Sequence, residues 1–264
     1  LSSAPKYNLL YEGFGWDIPK YVHTPPVMRD EHSKMSKRKG DPSFEDLINM
    51  GYLTDAVINY VVLLGWSPRG EQEIFNLDQL IEQFEISGIS KSPAIFDIVK
   101  LKHFNNTYIR ALSDEKFAEI AAPYIKKAVS VSDEVVPEIA ALLKERIDTL
   151  NDIADIIDFF DTLPEYEKEL FVHKKSKSDL ESSLKVLEDM RAIFAGIDWT
   201  NENILDAMVK YAEANEWKNG KVMWPVRIAA AGKAVTPGGA VEICHILGKD
   251  ETLRRMDVAI AKLK

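Results

Sequence analysis

Ser33-Lys34-Met35-Ser36-Lys37-Arg38-Lys39-Gly40-Asp41 sets four cations within six residues, among small side chains and ahead of a Gly-Asp-Pro turn. That composition is loop chemistry. A loop of this kind can bring several positive charges to one polyphosphate. On charge alone, the plainer reading is a solvated basic loop.

Its neighbours sharpen the choice. Leu9-Leu10-Tyr11-Glu12-Gly13-Phe14-Gly15-Trp16 and His23-Thr24-Pro25-Pro26-Val27-Met28 precede it. Gly51-Tyr52-Leu53 and Leu63-Leu64-Gly65-Trp66-Ser67-Pro68 follow it. Lys-Met-Ser-Lys-Arg in this setting resembles the KMSKS-type signature of class I aminoacyl-tRNA synthetases. The succession is similar to that of the bacterial glutamyl-tRNA synthetases, and the similarity runs to the last residue.

Composition bounds the other possibilities. The chain has 264 residues, 46% hydrophobic and 28% charged, enough for one to three domains. No apolar run is long enough for a membrane span. The amino end, Leu1-Ser2-Ser3-Ala4-Pro5-Lys6, lacks the features of a signal peptide and an initiator methionine. One cysteine, Cys244, excludes an internal disulfide and a Cys-rich zinc site. These features favour a reducing cytoplasm. The net charge of −9 argues weakly against nucleic-acid binding. Local basic clusters argue the other way: residues 34–39, Lys126-Lys127, His173-Lys174-Lys175-Ser176-Lys177, residues 218–221 and Arg254-Arg255.

Residues 1–45 show no sustained helical period. They read as a helix over 5–14, an extended segment over 21–28 and the basic loop. Helices follow over 43–51, 54–65, 76–84 and 97–110. Ser113-Asp114-Glu115 and Ser132-Asp133-Glu134 are helix starts, and 149–160 continues the apolar pattern. Residues 164–177 break it. Ser178-Asp179-Leu180-Glu181 reads as a capping box. Helices over 200–217, 220–232, 239–247 and 250–262 complete the carboxyl half, with Gly248 as a C-cap glycine. The apolar stripes are core.

The resemblance implies a mainly α fold. A remnant of a class I Rossmann-type catalytic domain with the KMSKR loop would span 1–42, and a helical stem-contact domain 43–110. A two-part all-helical anticodon-binding domain would span 111–175 and 176–264. It implies a glutamate–tRNA ligase using ATP with magnesium, glutamate and tRNA(Glu), monomeric, without zinc in this chain and without a membrane partner.

Lys37 would be the catalytic lysine, with Lys34, Ser36 and Arg38 in support, and Lys37, Val27 and Met28 would bind ATP. Arg146, in Lys144-Glu145-Arg146-Ile147-Asp148, matches the position that reads the third anticodon base. There an arginine donating to a cytosine would separate Glu-type from Gln-type anticodons. The plainer reading is a helix-surface arginine paired with a neighbouring acid. Arg227, Thr236, Pro237 and Gly238 match further anticodon contacts. Trp224 and Gly239 depart from the family, so Trp224 is either core or a stacking face.

None of the five histidines stands in a His-Ile-Gly-His-type motif, the other half of such an active site. His245 reads as a core or helix-surface residue. Residue 1 is therefore expected to be a truncation point within the catalytic domain, and the fragment to bind tRNA without charging it. The alternatives are a non-catalytic tRNA-binding module derived from a synthetase and a relaxed enzyme charging both tRNA(Glu) and tRNA(Gln).

Overall fold

The computed structural model describes residues 2–264. Leu1, where the sequence reading sets a truncation point, lies outside the described residues. The chain forms two compact units, Leu1–Tyr108 and Ile109–Lys264.

In the first unit, Pro5 stands in the opening turn of α1 (Ala4–Phe14), where its missing N–H costs nothing. Gly15 ends the helix at φ 66°. The extended reading of 21–28 narrows to β1 (Val27–Met28). It pairs in parallel with β2 (Ala94–Ile95), Val27 opposite Ala94 and Met28 opposite Ile95. Two residues carry no alternation, so β2 has no sequence signal. The basic loop contains one 3-10 turn, Lys37–Lys39.

Ser43 caps α2 (Phe44–Asn49) as expected. Its hydroxyl accepts the Asp46 N–H, and the Asp46 carboxylate returns the bond to the Ser43 N–H at 2.8 Å. Then come α3 (Thr54–Gly65), α4 (Leu77–Gln83) and α5 (Ile98–Ala111). Leu47, Tyr52, Val57, Tyr60, Leu101 and Phe104 form one core cluster, and Trp66, Phe75 and Leu80 a second. The fully buried Asn59 ties chain segments together. Its amide donates to the Glu73 carbonyl at 2.9 Å, and its oxygen accepts the Phe75 N–H and the Tyr108 O–H at 2.6 Å each.

The second unit is helical: α6 (Asp114–Ala128), α7 (Val136–Leu143), α8 (Asp152–Ile157), α9 (Leu180–Ala195), α10 (Asn201–Ala214), α11 (Asn219–Ala231), α12 (Ala240–Leu247) and α13 (Lys249–Leu263). α6 packs on α7 and α8, while α11 lies among α9, α10, α12 and α13. Phe117, Ile125, Ile139, Leu143, Ile153 and Ile157 are buried in the first group. Each contributes about 1.5–3 kcal/mol of transfer free energy.

Three local expectations shift. α7 starts at Val136, not at 132–134, with Pro137 in its first turn, where proline is pre-organised. Residues 158–160 form a 3-10 turn after α8. The capping box of α9 belongs to Asp179 and Ser182, not Ser178 and Glu181. Asp179 accepts the Ser182 N–H at 2.8 Å, and buried Ser178 donates instead to the Phe171 carbonyl at 2.9 Å.

Gly248 separates α12 from α13 at φ 80°, ψ 164°, backbone that only glycine adopts readily. Arg255, on α13, is fully buried. It donates to the carbonyls of Phe159 and Ala230 at 2.7 Å each, to that of Phe160 at 3.3 Å, and to Glu251 at 2.6 Å.

Candidate RNA-binding cleft and phosphate-binding loop

In the first unit, the loop is built on Asp30, whose carboxylate accepts the N–H groups of His32 and Ser33 at 2.8 Å each and turns the chain. Met35 then donates to the Val27 carbonyl at 3.1 Å, setting the loop beside β1. Asp41 closes the loop, accepting Arg29 Nε–H at 2.7 Å and the Ser36 N–H at 2.6 Å. Arg29 also donates to the Lys39 carbonyl at 2.9 Å. Its bond to Arg29, then that to Ser36, holds the Asp41 carboxyl below its ordinary value. Gly40 takes φ 83°, which lets the chain reverse there.

The result is a loop whose acid is used internally and whose cations point outward. Lys34, Arg38 and Lys39 make no side-chain hydrogen bond or ion pair with a described residue. Lys37 is 77% exposed and reaches Glu45 only at 4.0 Å. Ser36 is half-buried. The carbonyls of Val27 and Met28 are taken by Met35 and Phe96.

In the second unit, Arg146 lies in the turn after α7, not on a helix surface. Its side chain makes no hydrogen bond or ion pair with a described residue. Glu145 pairs with Arg110 at 3.0 Å. Arg146 borders a cleft of about 390 Å³ with Asp155, Lys233, Val235, Thr236 and Pro237.

Arg227, on α11, donates to Thr236 Oγ1 at 2.6 Å and to the Ala234 carbonyl at 2.9 Å, fastening the 232–238 loop. Thr236 in turn donates to the Gly238 carbonyl at 2.8 Å. Burial, and then the positive charge of Arg146, pulls Arg227 below its ordinary value. Two guanidinium groups thus share one field, a setting that attracts phosphate or the electron-rich edge of a base. Residues about 90 positions apart in sequence, Arg146 with Thr236 and Pro237, meet in this cleft.

Comparison with known proteins agrees with this division. A family described as "Anticodon binding domain" matches residues 116–260. The chain belongs to the anticodon-binding domain family. A second family, "tRNA synthetases class I (E and Q), catalytic domain", matches residues 1–103. Glutamate–tRNA ligases of Clostridium botulinum strain Hall and of Clostridium tetani are 52% and 51% identical to it. Each aligns with all of this chain and 54% of its own length. The chain spans about half the length of the curated relatives it matches and corresponds to their carboxyl-terminal half.

Two crystal structures are similar to it. A glutamate tRNA ligase from Elizabethkingia meningosepticum in complex with its amino acid has TM-score 0.81 and 30% identity, over 100% of this chain and 56% of that one. The glutamate-tRNA synthetase of Elizabethkingia anophelis has TM-score 0.78 and 29% identity, over 98% and 55%.

Within the anticodon-binding domain, several residues take places the sequence did not reveal. Thr236 and Pro237 are buried, so the 235–238 turn offers the cleft chiefly Val235, which is 80% exposed. The Gly239 N–H at the start of α12 is already bonded to the Glu242 carboxylate at 3.0 Å, so that amide is not open to a ligand. Trp224 carries His173 stacked at 3.7 Å and the Arg227 guanidinium at 4.5 Å, and its indole N–H meets the Leu170 carbonyl at 2.8 Å. It is a support rather than a bare stacking face.

His245 is half-buried on α12, with Nδ1 2.9 Å from a Glu138 carboxylate oxygen. Arg254 and Arg255, a basic cluster in sequence, are both engaged by Glu251. Sequence reasoning missed Arg29 and Asp41, whose partners lie 12 residues apart. It also missed Lys233, which bonds to Asp158 and to the Asp155 carbonyl at the cleft edge. Only position beside Gly232 could have marked Lys233.

Proposed function

We propose that this chain is the carboxyl-terminal part of a glutamate–tRNA ligase. The whole protein would couple glutamate, ATP and tRNA(Glu) in cytoplasmic protein synthesis. Residues 1–42 would supply the ATP-phosphate loop, 43–110 the stem contacts, and 111–175 with 176–264 the anticodon reader. Activation begins when a glutamate carboxylate attacks the α-phosphate of ATP, and charge builds on the bridging oxygen and the departing pyrophosphate. Lys37 stabilises that charge more in the transition state than in the ground state, with Lys34, Arg38 and the Ser36 hydroxyl in support. Val27 and Met28 flank the nucleotide. Magnesium arrives as its ATP complex. Among the described residues no group of His, Cys, Asp or Glu side chains is arranged to hold a metal ion.

Arg146 donates to the third anticodon base, and Arg227 holds the 232–238 loop against the RNA. The observation that carries the reading is the unpaired Arg146 in one cleft with Thr236, which Arg227 holds from α11. The test is salt-dependent binding of the chain to tRNA(Glu) and tRNA(Gln) transcripts, repeated with Arg146→Gln. Preference for tRNA(Glu) that falls with the substitution is expected. Equal binding to both, unmoved by the substitution, would remove Arg146 from recognition. ATP–pyrophosphate exchange by this chain alone would contradict its assignment as an inactive fragment.

A further inference from the structure

A second electropositive surface lies on the anticodon-binding domain, apart from the cleft. His173 and Ser178 pair to close a hairpin whose tip carries Lys174, Lys175 and Lys177. Lys177 adopts φ 54°, which turns the tip. The tip sits against the first turn of α11. A methyl group placed on Gly220 would lie 3.5 Å from Ser176 Oγ. This brings Lys218, at the start of α11, to the same place. Lys218 provides no side-chain cap, so the helix adds its own positive end to the cluster.

Lys174, Lys175, Lys177 and Lys218 are exposed and make no side-chain hydrogen bond or ion pair with a described residue. Elsewhere in the same unit, Lys116, Lys126, Lys144, Lys185, Lys210 and Lys233 each hold a carboxylate. The chain carries 42 acidic residues against 33 basic ones, so partners for the four are not scarce. Asp179, on which neighbouring Lys221 acts, is engaged in capping α9. The hairpin is also joined to the cleft, because His173 stacks on Trp224 and Trp224 carries Arg227.

We infer that the 174–177 hairpin and Lys218 bind the phosphodiester backbone of the same RNA whose bases enter the Arg146 cleft. The inference rests on the reading of this unit as an RNA binder. Base-edge contacts in the cleft select sequence, and the lysines supply sequence-independent attraction through displaced counterions.

The experiment compares the chain with its Lys174→Gln/Lys175→Gln/Lys177→Gln/Lys218→Gln variant, titrating tRNA(Glu) and tRNA(Gln) transcripts across a salt series. The slope of log affinity against log salt should fall in magnitude by about 3–3.5, at roughly 0.7–0.9 for each of the four phosphates no longer neutralised. Preference between the two RNAs should stay unchanged, with the thermal midpoint checking the fold. A quadruple Lys→Arg variant should keep the slope. An unchanged slope in the glutamine variant, with Arg146→Gln still weakening binding, would overturn this inference and leave the anticodon reading standing. No RNA binding by the unaltered chain would overturn both. Loss of binding to anionic vesicles without loss of RNA affinity would reassign the surface to lipid and refute the inference.

Discussion

Arg29 and Asp41 hold the two ends of the basic loop together. Asp41 takes the Arg29 Nε–H at 2.7 Å, and Arg29 reaches on to the Lys39 carbonyl at 2.9 Å. The loop's acid is thereby hydrogen-bonded to Arg29 and the Ser36 N–H rather than to its lysines. Arg29→Ala should expose the 34–39 segment to trypsin several-fold faster, with little change in thermal midpoint, because the pair is at the surface. The Asp41 carboxyl is depressed below 3.8, so the restraint is complete above that pH and is lost as acid carries the solution through the folded value. Trypsin is inactive there, so pepsin digestion is the check at the acid end. Equal cleavage of the variant and the unaltered chain would show that the pair does not order the loop.

Lys37 should matter to chemistry and not to folding. In the full-length protein, Lys37→Ala should lower kcat for ATP–pyrophosphate exchange by about 10²–10³-fold, the usual consequence of removing one transition-state donor. The thermal midpoint should be unmoved, since Lys37 is 77% exposed and meets Glu45 only at 4.0 Å. A change confined to KM for ATP would recast Lys37 as a ground-state binding residue.

Arg255→Met should destabilise the second unit by about 3–5 kcal/mol in urea denaturation, the usual cost of breaking a buried charged network. It would leave the Phe159 and Ala230 carbonyls without their donor. Arg255→Lys should recover only part of the loss, because an ammonium lacks the fork that reaches both. A midpoint within error of the parent would mean that the network is replaceable by packing.

Glu251 gives the same unit an acid sensitivity. Hydrogen bonds from Arg254, and then from Arg255, lower its carboxyl from 4.5 to about 2. The depressed group stabilises the fold fully above pH 4.5, and that contribution is lost as the pH falls toward 2. Glu251→Gln should be less stable at neutral pH and flatter across this window. Parallel pH curves for the two proteins would dismiss the assignment.

Cys244 should be silent to thiol reagents in the folded protein. It is fully buried, and burial pushes its thiol up to about 12. Labelling should appear only as urea unfolds the second unit, coincident with loss of helical circular dichroism. Rapid labelling of the native chain would reveal local opening of α12.

The capping residues made most helices readable, because an N-cap and its third residue lie within one turn of sequence. Ser43 and Ser113 cap where they were expected. Ser178 failed because two overlapping motifs compete, and only the remote Phe171 carbonyl decides between them. Strand β2 was invisible because its partner lies 67 residues earlier and its two residues carry no period. The family motif marked Arg146, while its meeting with the 232–238 loop in one cleft depends on tertiary folding. Arg255 shows the limit most plainly. Beside Arg254 it reads as one of two surface cations, yet it is wholly enclosed.

That enclosed guanidinium also bears on how such a protein can be rebuilt. Arg255 sits on the last helix but is satisfied by backbone of the 158–160 turn and of α11. The segments before and after the 164–179 stretch are therefore not an exchangeable cassette. A chimera taking α9–α13 from a relative inherits a cation two of whose acceptors, the carbonyls of residues 159 and 160, belong to its host. Transplanted anticodon specificity would then depend as much on the donor's 158–160 backbone as on any residue facing the RNA.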